Sequence, residues 1–173
     1  MISKKINEKY YSLFTGRITN DSYEESIKKL TLPSKDIFVQ ILPSRIIAGE
    51  THLFIALETA LSSFENSSNF TKIPALELIV RILGKKQLND ALETAKFGKE
   101  NLVLIIGSRK KKEIEKIKKE LNFKEKNFTL GKNKKYLEKL FSVSKAELNS
   151  LKDLKNPLEE LVIERCAFVA LER

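Results

Sequence analysis

Apolar residues between Gly49 and Gly98 recur at helical spacing in three successive stretches. Leu53, Ala56, Leu57, Ala60, Leu61 and Phe64 stand at i, i+3, i+4, i+7, i+8 and i+11, which predicts one buried helix face, closed by the loop Asn66-Ser67-Ser68-Asn69. A second helix is predicted from about Pro74, burying Leu76, Ile79, Val80 and Leu83, with Gly84 where a left-handed residue ends a helix. A third places Leu88, Ala91, Leu92 and Ala95 on one side and closes at Gly98. Helices this short are marginal alone, so they must pack on a sheet or on one another.

Strand patterns flank this tract. Tyr10 to Gly16 is rich in aromatic and β-favouring residues and predicts a first strand, followed by a helix that Ser22 and Glu25 would cap and Leu32-Pro33 would end. Asp36 to Leu42 and Leu102 to Gly107 are almost wholly apolar, the signature of strands covered on both faces, with the latter central. Lys110 to Leu121 reads as a helix with Ile114, Ile117 and Leu121 inward and a basic outer face, and Asn127 to Leu130 as a short edge strand. Ser144 and Glu147 form a capping box for a helix through Leu151; the last helix opens with Asn156, Pro157, Glu159 and Glu160. In that last helix apolar residues surround nearly the whole circumference, so it is either buried or shared with a partner. The fold expected is α/β (α+β): one domain over residues 1–173, with a mixed central sheet of about four strands and seven or so short helices.

Composition narrows the function classes. Apolar residues make up 42% with only 6 Gly and 4 Pro, a globular balance with no low-complexity linker and no internal repeat. The net charge of +9 makes a polyanion the natural large partner, nucleic acid first, although a Lys- and Glu-rich surface also serves solubility alone. One Cys and one His leave no metal-ligand set and no internal disulfide, and with no signal-like segment the expected compartment is the cytoplasm. No nucleophile stands beside a base in a known motif and no glycine-rich phosphate loop occurs, so neither catalytic residues nor a cofactor are expected. His52, at the start of the first helix of the tract, is either a histidine bonded to a neighbouring loop or a contact to RNA or a partner. Arg81, Lys85, Lys86 and Gln87 gather at the turn between the second and third helices, where a phosphate could dock beside a helix N-terminus and Gln87 could meet a base edge; a merely solvated turn is the other reading. Arg81 is expected to be exposed there. Phe70 and Phe97 are the nearest aromatics for stacking a base.

An ordered series of residues carries a resemblance. It comprises Gly49-x-x-His52-Leu53-x-x-Ala56-x-x-x-Ala60, Ala75-x-Glu77-Leu78, Arg81-x-x-Gly84-x-x-Gln87-Leu88-x-x-Ala91, Gly98, and the closing stretch from Leu158 to Phe168. From about Tyr10 onward the chain resembles the smallest kinase-binding subunit of the KEOPS complex, of archaeal type, related to the PRPK-binding protein of eukaryotes. The resemblance implies a non-catalytic α/β subunit for tRNA threonylcarbamoyladenosine modification, docked on the complex's small atypical kinase and only indirectly linked to the threonylcarbamoyl-transferase. It also implies recruitment of tRNA by its 3′ CCA end. By position, the Arg81 to Gln87 turn, with His52, becomes the CCA-end site, and Leu161, Arg165 and Phe168 the kinase face. A partner-only adaptor without RNA binding is the alternative. The Lys-rich segment Lys132 to Lys139 departs from the family pattern.

Overall fold

A computed structural model describes residues 2–18, 36–98 and 100–171. The helix expected after the first strand, with Ser22 and Glu25, lies outside the described residues. By their internal contacts the residues form two compact units, Met1–Pro43 with Phe97–Phe128, and Ser44–Lys96 with Thr129–Arg173.

The first unit is a sheet with one helix. Strands β1 (Ile2–Ile6), β2 (Lys9–Ile18), β3 (Phe38–Pro43) and β4 (Leu102–Ser108) lie in the order β1-β2-β4-β3, and β5 (Phe123–Glu125) also pairs with β2. Every described pairing is antiparallel, so the α/β class stands with five strands, and the expected mixed directions become antiparallel ones. All seven residues of β4 are buried, as its unbroken apolarity requires. Phe14, Leu102, Leu104 and Ile106 join Ile114 and Ile117 of helix α4 (Lys111–Glu120) and its C-cap Leu121 in one core cluster, Ile114 and Ile117 pointing inward as the spacing predicts.

Two strands differ from expectation. The polar edge strand β1 is joined to β2 by a tight turn in which Asn7 takes a left-handed φ of 54°, a conformation asparagine tolerates better than most residues. The strand expected at Asn127 to Leu130 instead falls at Phe123–Glu125. Because β1 reaches along β2 only to Leu13, the stretch Gly16 to Ile18 needs another partner, and the chain just after α4 supplies it.

The second unit is helical. It contains α1 (Glu50–Glu65), α2 (Pro74–Leu83), α3 (Leu88–Ala95), α5 (Lys134–Leu140), α6 (Lys145–Ser150) and α7 (Pro157–Leu171), with a short 3-10 turn at Ser44–Ile46. Helix α2 packs against α1, α3 and α7, and Glu77 through Leu83 are all buried, which makes it the axis of the unit rather than one amphipathic layer. It ends as its glycine predicts. Gly84 sits at φ 55°, ψ 43°, Gly84 N–H donates to Arg81 O and Lys85 N–H to Val80 O, the double bond of a Schellman motif. A side chain at Gly84 would also crowd Cys166 Cα of α7, at 3.2 Å from its Cβ. The Ser144–Glu147 capping box of α6 is formed in both directions. Among the described residues no helix is long and apolar enough to cross a membrane.

Candidate functional site

The turn between α2 and α3 separates its four polar residues into two pairs. Arg81 turns inward and is 7% exposed. Its Nε donates to Glu77 Oε1 at 2.8 Å, its Nη2 to Ser68 O at 2.8 Å, and its guanidinium stands 4.6 Å from the centre of the Phe70 ring. Glu77 is fully buried, and its other oxygen accepts the N–H groups of Phe70 and Thr71, both at 2.8 Å. A buried carboxylate is tolerable only when paired and bonded in this way. The expected exposure of Arg81 is therefore corrected: one helical turn above Glu77, it neutralises that carboxylate and locks the loop after α1 onto α2.

Lys85 folds over α3, its Nζ donating to Thr94 Oγ1 at 2.8 Å and Asp90 O at 3.3 Å. Lys86 and Gln87 are exposed. Gln87 takes the N-cap position of α3 in extended conformation, and its side chain makes no capping bond. The outward chemistry of the turn thus comes from Lys86 and Gln87, with Lys85 at their flank.

His52 is 1% exposed and serves as a structural bridge. Its Nδ1 accepts the Ala48 N–H at 3.2 Å, so Nε2 carries the proton and donates to Ile82 O at 3.0 Å, satisfying a carbonyl in the last turn of α2. The ring meets Phe141 edge-on at 6.0 Å. The backbone N–H of His52 donates to Glu159 Oε1 at 2.9 Å, and Asn156 Nδ2 donates to Glu159 Oε2 at 3.3 Å. Glu159, expected to serve only its own helix, therefore caps α1 from the first turn of α7. Gly49 has an ordinary extended φ; it is glycine for space, since a Cβ there would strike the Glu159 carboxylate. Of the two roles open to His52, the structure shows the histidine bonded to a neighbouring loop, with its ring buried. Cys166 Sγ lies 3.5 Å from the same Ile82 carbonyl, and burial pushes its thiol up to about 12, away from nucleophilic use.

On α7 the three residues assigned to a partner face grade outward. Leu161 is 4% exposed and belongs to the core; Arg165 is half-buried and ion-paired with Glu147, whose carboxyl is held down to about 2, first by the Ser144 backbone N–H; Phe168 is 52% exposed. The aromatic candidates for stacking are spoken for as well, with Phe70 under Arg81 and Phe97 against the core of the sheet unit. Besides Phe168, Tyr136 of α5 is an exposed aromatic, 5.8 Å from the Arg45 guanidinium, which sequence reading passed over because it sits among lysines. A signal for the Glu77–Arg81 pair was present: two opposite charges at i, i+4 within the otherwise apolar PALELIVRIL.

Two predictions follow from these bonds. Replacing Arg81 by Ala leaves Glu77 buried without its cation and lowers unfolding stability by about 3–5 kcal/mol, whereas Lys86→Ala at the exposed position changes it by less than about 0.5 kcal/mol. Urea denaturation of both variants checks this, and equal stability would remove the structural role of Arg81. Burial also pushes the His52 pKa down from 6.5 to about 4, outweighing the hydrogen bond to Ile82. The unfolded chain takes up this proton near pH 6.5 and the folded chain only near pH 4, so stability is full above 6.5 and declines as pH falls from 6.5 toward 4, by about 3 kcal/mol in all. The difference between wild-type and His52→Gln unfolding curves across that window isolates the effect; parallel curves would refute it.

Comparison with known proteins adds an independent line. No curated protein matches the chain significantly. A family model described as "Kinase binding protein CGI-121" matches residues 16–170, which takes in β4, the Gly49–Gly98 tract and nearly all of α7. The ordered residues that shape the helix junctions and the span of this match agree, and the chain belongs to the CGI-121 family of kinase-binding proteins.

Proposed function

We propose that the protein is a non-catalytic adaptor, the small kinase-binding subunit of a KEOPS-type complex that makes threonylcarbamoyladenosine in tRNA, acting in the cytoplasm. The observation that carries the adaptor reading is helix α7. It is anchored by Leu158, Leu161 and Val162 inside its own unit, yet keeps Phe168 half exposed one turn beyond Arg165, within a chain of a kinase-binding family. A large aromatic on a rigid, otherwise buried helix is the kind of anchor that protein interfaces use. Phe168 and the outer edge of Arg165 are the partner-facing groups in this reading, and Leu161 holds the helix in place behind them. The threonylcarbamoyl-transferase is then an indirect partner through the kinase.

The RNA half of the reading rests on the turn after α2. Lys86 and Gln87 stand exposed at the start of α3, offering a cation and a base-edge donor and acceptor beside a helix end that attracts phosphate. This arrangement suits a tRNA 3′ CCA end. Arg81 and His52 support it from inside, by fixing the turn and the helix ends. Their inward direction also favours the alternative, a partner-only adaptor, because it leaves fewer cations at the turn than the sequence suggests.

Phe168→Asp is expected to weaken capture of the cognate kinase at least tenfold in a pull-down while the melting temperature stays near wild type; undiminished capture would move the docking face elsewhere. For RNA, the pure protein should bind intact tRNA with salt-sensitive affinity and lose most of it when the CCA end is trimmed or Lys86 becomes Glu. Equal binding of trimmed and intact tRNA would leave the partner-only adaptor.

A further inference from the structure

Two cavities adjoin along helix α1, and Thr59 and Arg81 line both of them. The first is a dimple of about 40 Å³ between α1 and α7, walled by Ile55 on one side and by Ile163 and Ala167 on the other. The second is an open polar basin of about 330 Å³, walled by Glu58, Ser62 and Asn66. Ile55, Thr59, Ser62 and Asn66 stand at i, i+4, i+7 and i+11, so one stripe of α1 and its C-cap runs from the apolar end of this groove to the polar end. All of these residues belong to the helical unit.

The guanidinium shared by the two cavities has donors to spare. Glu77 matches the charge of Arg81, but the bonds use Nε and Nη2 alone, and among the described residues Nη1 meets no acceptor. Among the described residues no sealed side-chain nitrogen or oxygen lacks a partner, so Nη1 of this 7%-exposed residue opens into the groove. A donor fixed at the floor of a groove selects an acceptor, and the surrounding charge decides which kind. Glu77 cancels Arg81 and Glu58 adds one negative charge at the basin, so a simple anion is repelled, while a bare cation leaves Nη1 unmet. A zwitterion answers both: its carboxylate takes Nη1 and the hydroxyls of Thr59 and Ser62, and its ammonium goes to Glu58, whose carboxylate accepts several donors at once. The dimple sets the size. A cavity of about 150 Å³ holds a benzene ring, so one of about 40 Å³ takes about one or two carbons.

We propose that this groove binds a free α-amino acid with a small side chain, of the size of alanine, serine or threonine. Its carboxylate pairs with Arg81, its ammonium pairs with Glu58, and its side chain enters the dimple between Ile55 and Ala167. The groove uses neither Lys86 and Gln87 nor Phe168, so it stands or falls separately from the RNA and kinase readings.

Isothermal titration calorimetry of the full chain tests the site with glycine, alanine, serine, threonine, leucine and glutamate. Alanine, serine and threonine should give saturable binding at millimolar concentration, glycine weaker binding, and leucine and glutamate none. Alaninamide lacks the carboxylate and N-acetylalanine the ammonium; each should bind about tenfold or more weakly than alanine, the scale of one lost bond to a charged group. Glu58→Gln should weaken alanine by a similar factor. Ala167→Leu fills the dimple, so alanine should lose its advantage over glycine while glycine binds as it does to wild type, which also shows that the rest of the groove is kept. Ala167 is exposed and Glu58 half-buried, and melting temperatures near wild type would confirm that both variants fold. Saturable binding by none of the amino acids would overturn the site. Equal binding of alanine, alaninamide and N-acetylalanine would mean that a peptide-like carbonyl suffices, and would overturn recognition of a zwitterion. An undiminished preference for alanine over glycine in Ala167→Leu would place the ligand elsewhere and overturn the assignment.

Discussion

The helical unit depends on satisfying helix ends that lie inside it. Six helices of 6 to 16 residues meet there, and each helix leaves unpaired N–H groups at its start and unpaired carbonyls at its end. Away from water such groups are expensive, so side chains from other helices must reach them. The His52 junction shows how. One residue gives its N–H to Glu159 of α7, takes the Ala48 N–H on Nδ1 and donates from Nε2 to the last turn of α2, tying α1, α2 and α7 at a single point. Arg45 does the same for the carbonyl end of α3, and Gly84 lets α2 turn back on itself. The spacing between Gly49, His52, Gly84 and Glu159 follows from this requirement before any partner is considered.

That requirement also decides which charged residues are free for binding. The chain carries 32 Lys and Arg against 23 acidic residues, but the excess is not a uniform surface property. Arg81 is consumed by Glu77, Arg45 by the end of α3, Arg165 by Glu147 and Lys85 largely by α3. Among the described residues of this unit, the cations left at the surface are mostly lysines, as at positions 132, 134, 135 and 155. The division has a chemical basis: the planar, multiply donating guanidinium suits fixed internal geometry, and the flexible ammonium suits a yielding contact with phosphate.

Much of the fold was legible in the sequence because periodicity reports burial directly. The 3.6-residue spacing located α1, α2, α3 and α4, and continuous apolarity located β3 and β4, down to the central place of β4. The edges were less legible. β1 is mostly polar and exists through its pairing with β2, and β5 is three residues long, fixed by the part of β2 that β1 does not cover; neither fact is written in the local pattern. The site was legible as a place but not as a set of directions. Arg81 belongs by sequence to a basic turn, yet a buried Glu four residues earlier draws it inward, and an i, i+4 rule alone cannot tell an internal pair from a surface one. For His52 the loop-bonded role fits the Ala48 N–H, but the Ile82 carbonyl and the Glu159 carboxylate that complete the junction come from elsewhere in the chain and are not written in the local pattern.

An adaptor gains from this economy. A binding residue is effective when its backbone is already fixed, because then little conformational entropy is lost on association. Lys86 and Gln87 follow directly on a Schellman turn whose preceding helix is buried along seven consecutive residues, and Phe168 extends from a helix whose first turn is pinned to α1 by Glu159. The residues that appear in the family's ordered pattern, Gly49, His52, Arg81 and Gly84, are thus mostly those that hold the surface rigid. Of the residues proposed to touch a partner, Gln87 and Phe168 belong to the same pattern and Lys86 stands beside it. The two sets are therefore neighbours in the chain, and a contact residue is held in place by the junction residue next to it. Similarity at these positions reports the scaffold first, because burial and hydrogen bonding fix its residues before any partner arrives.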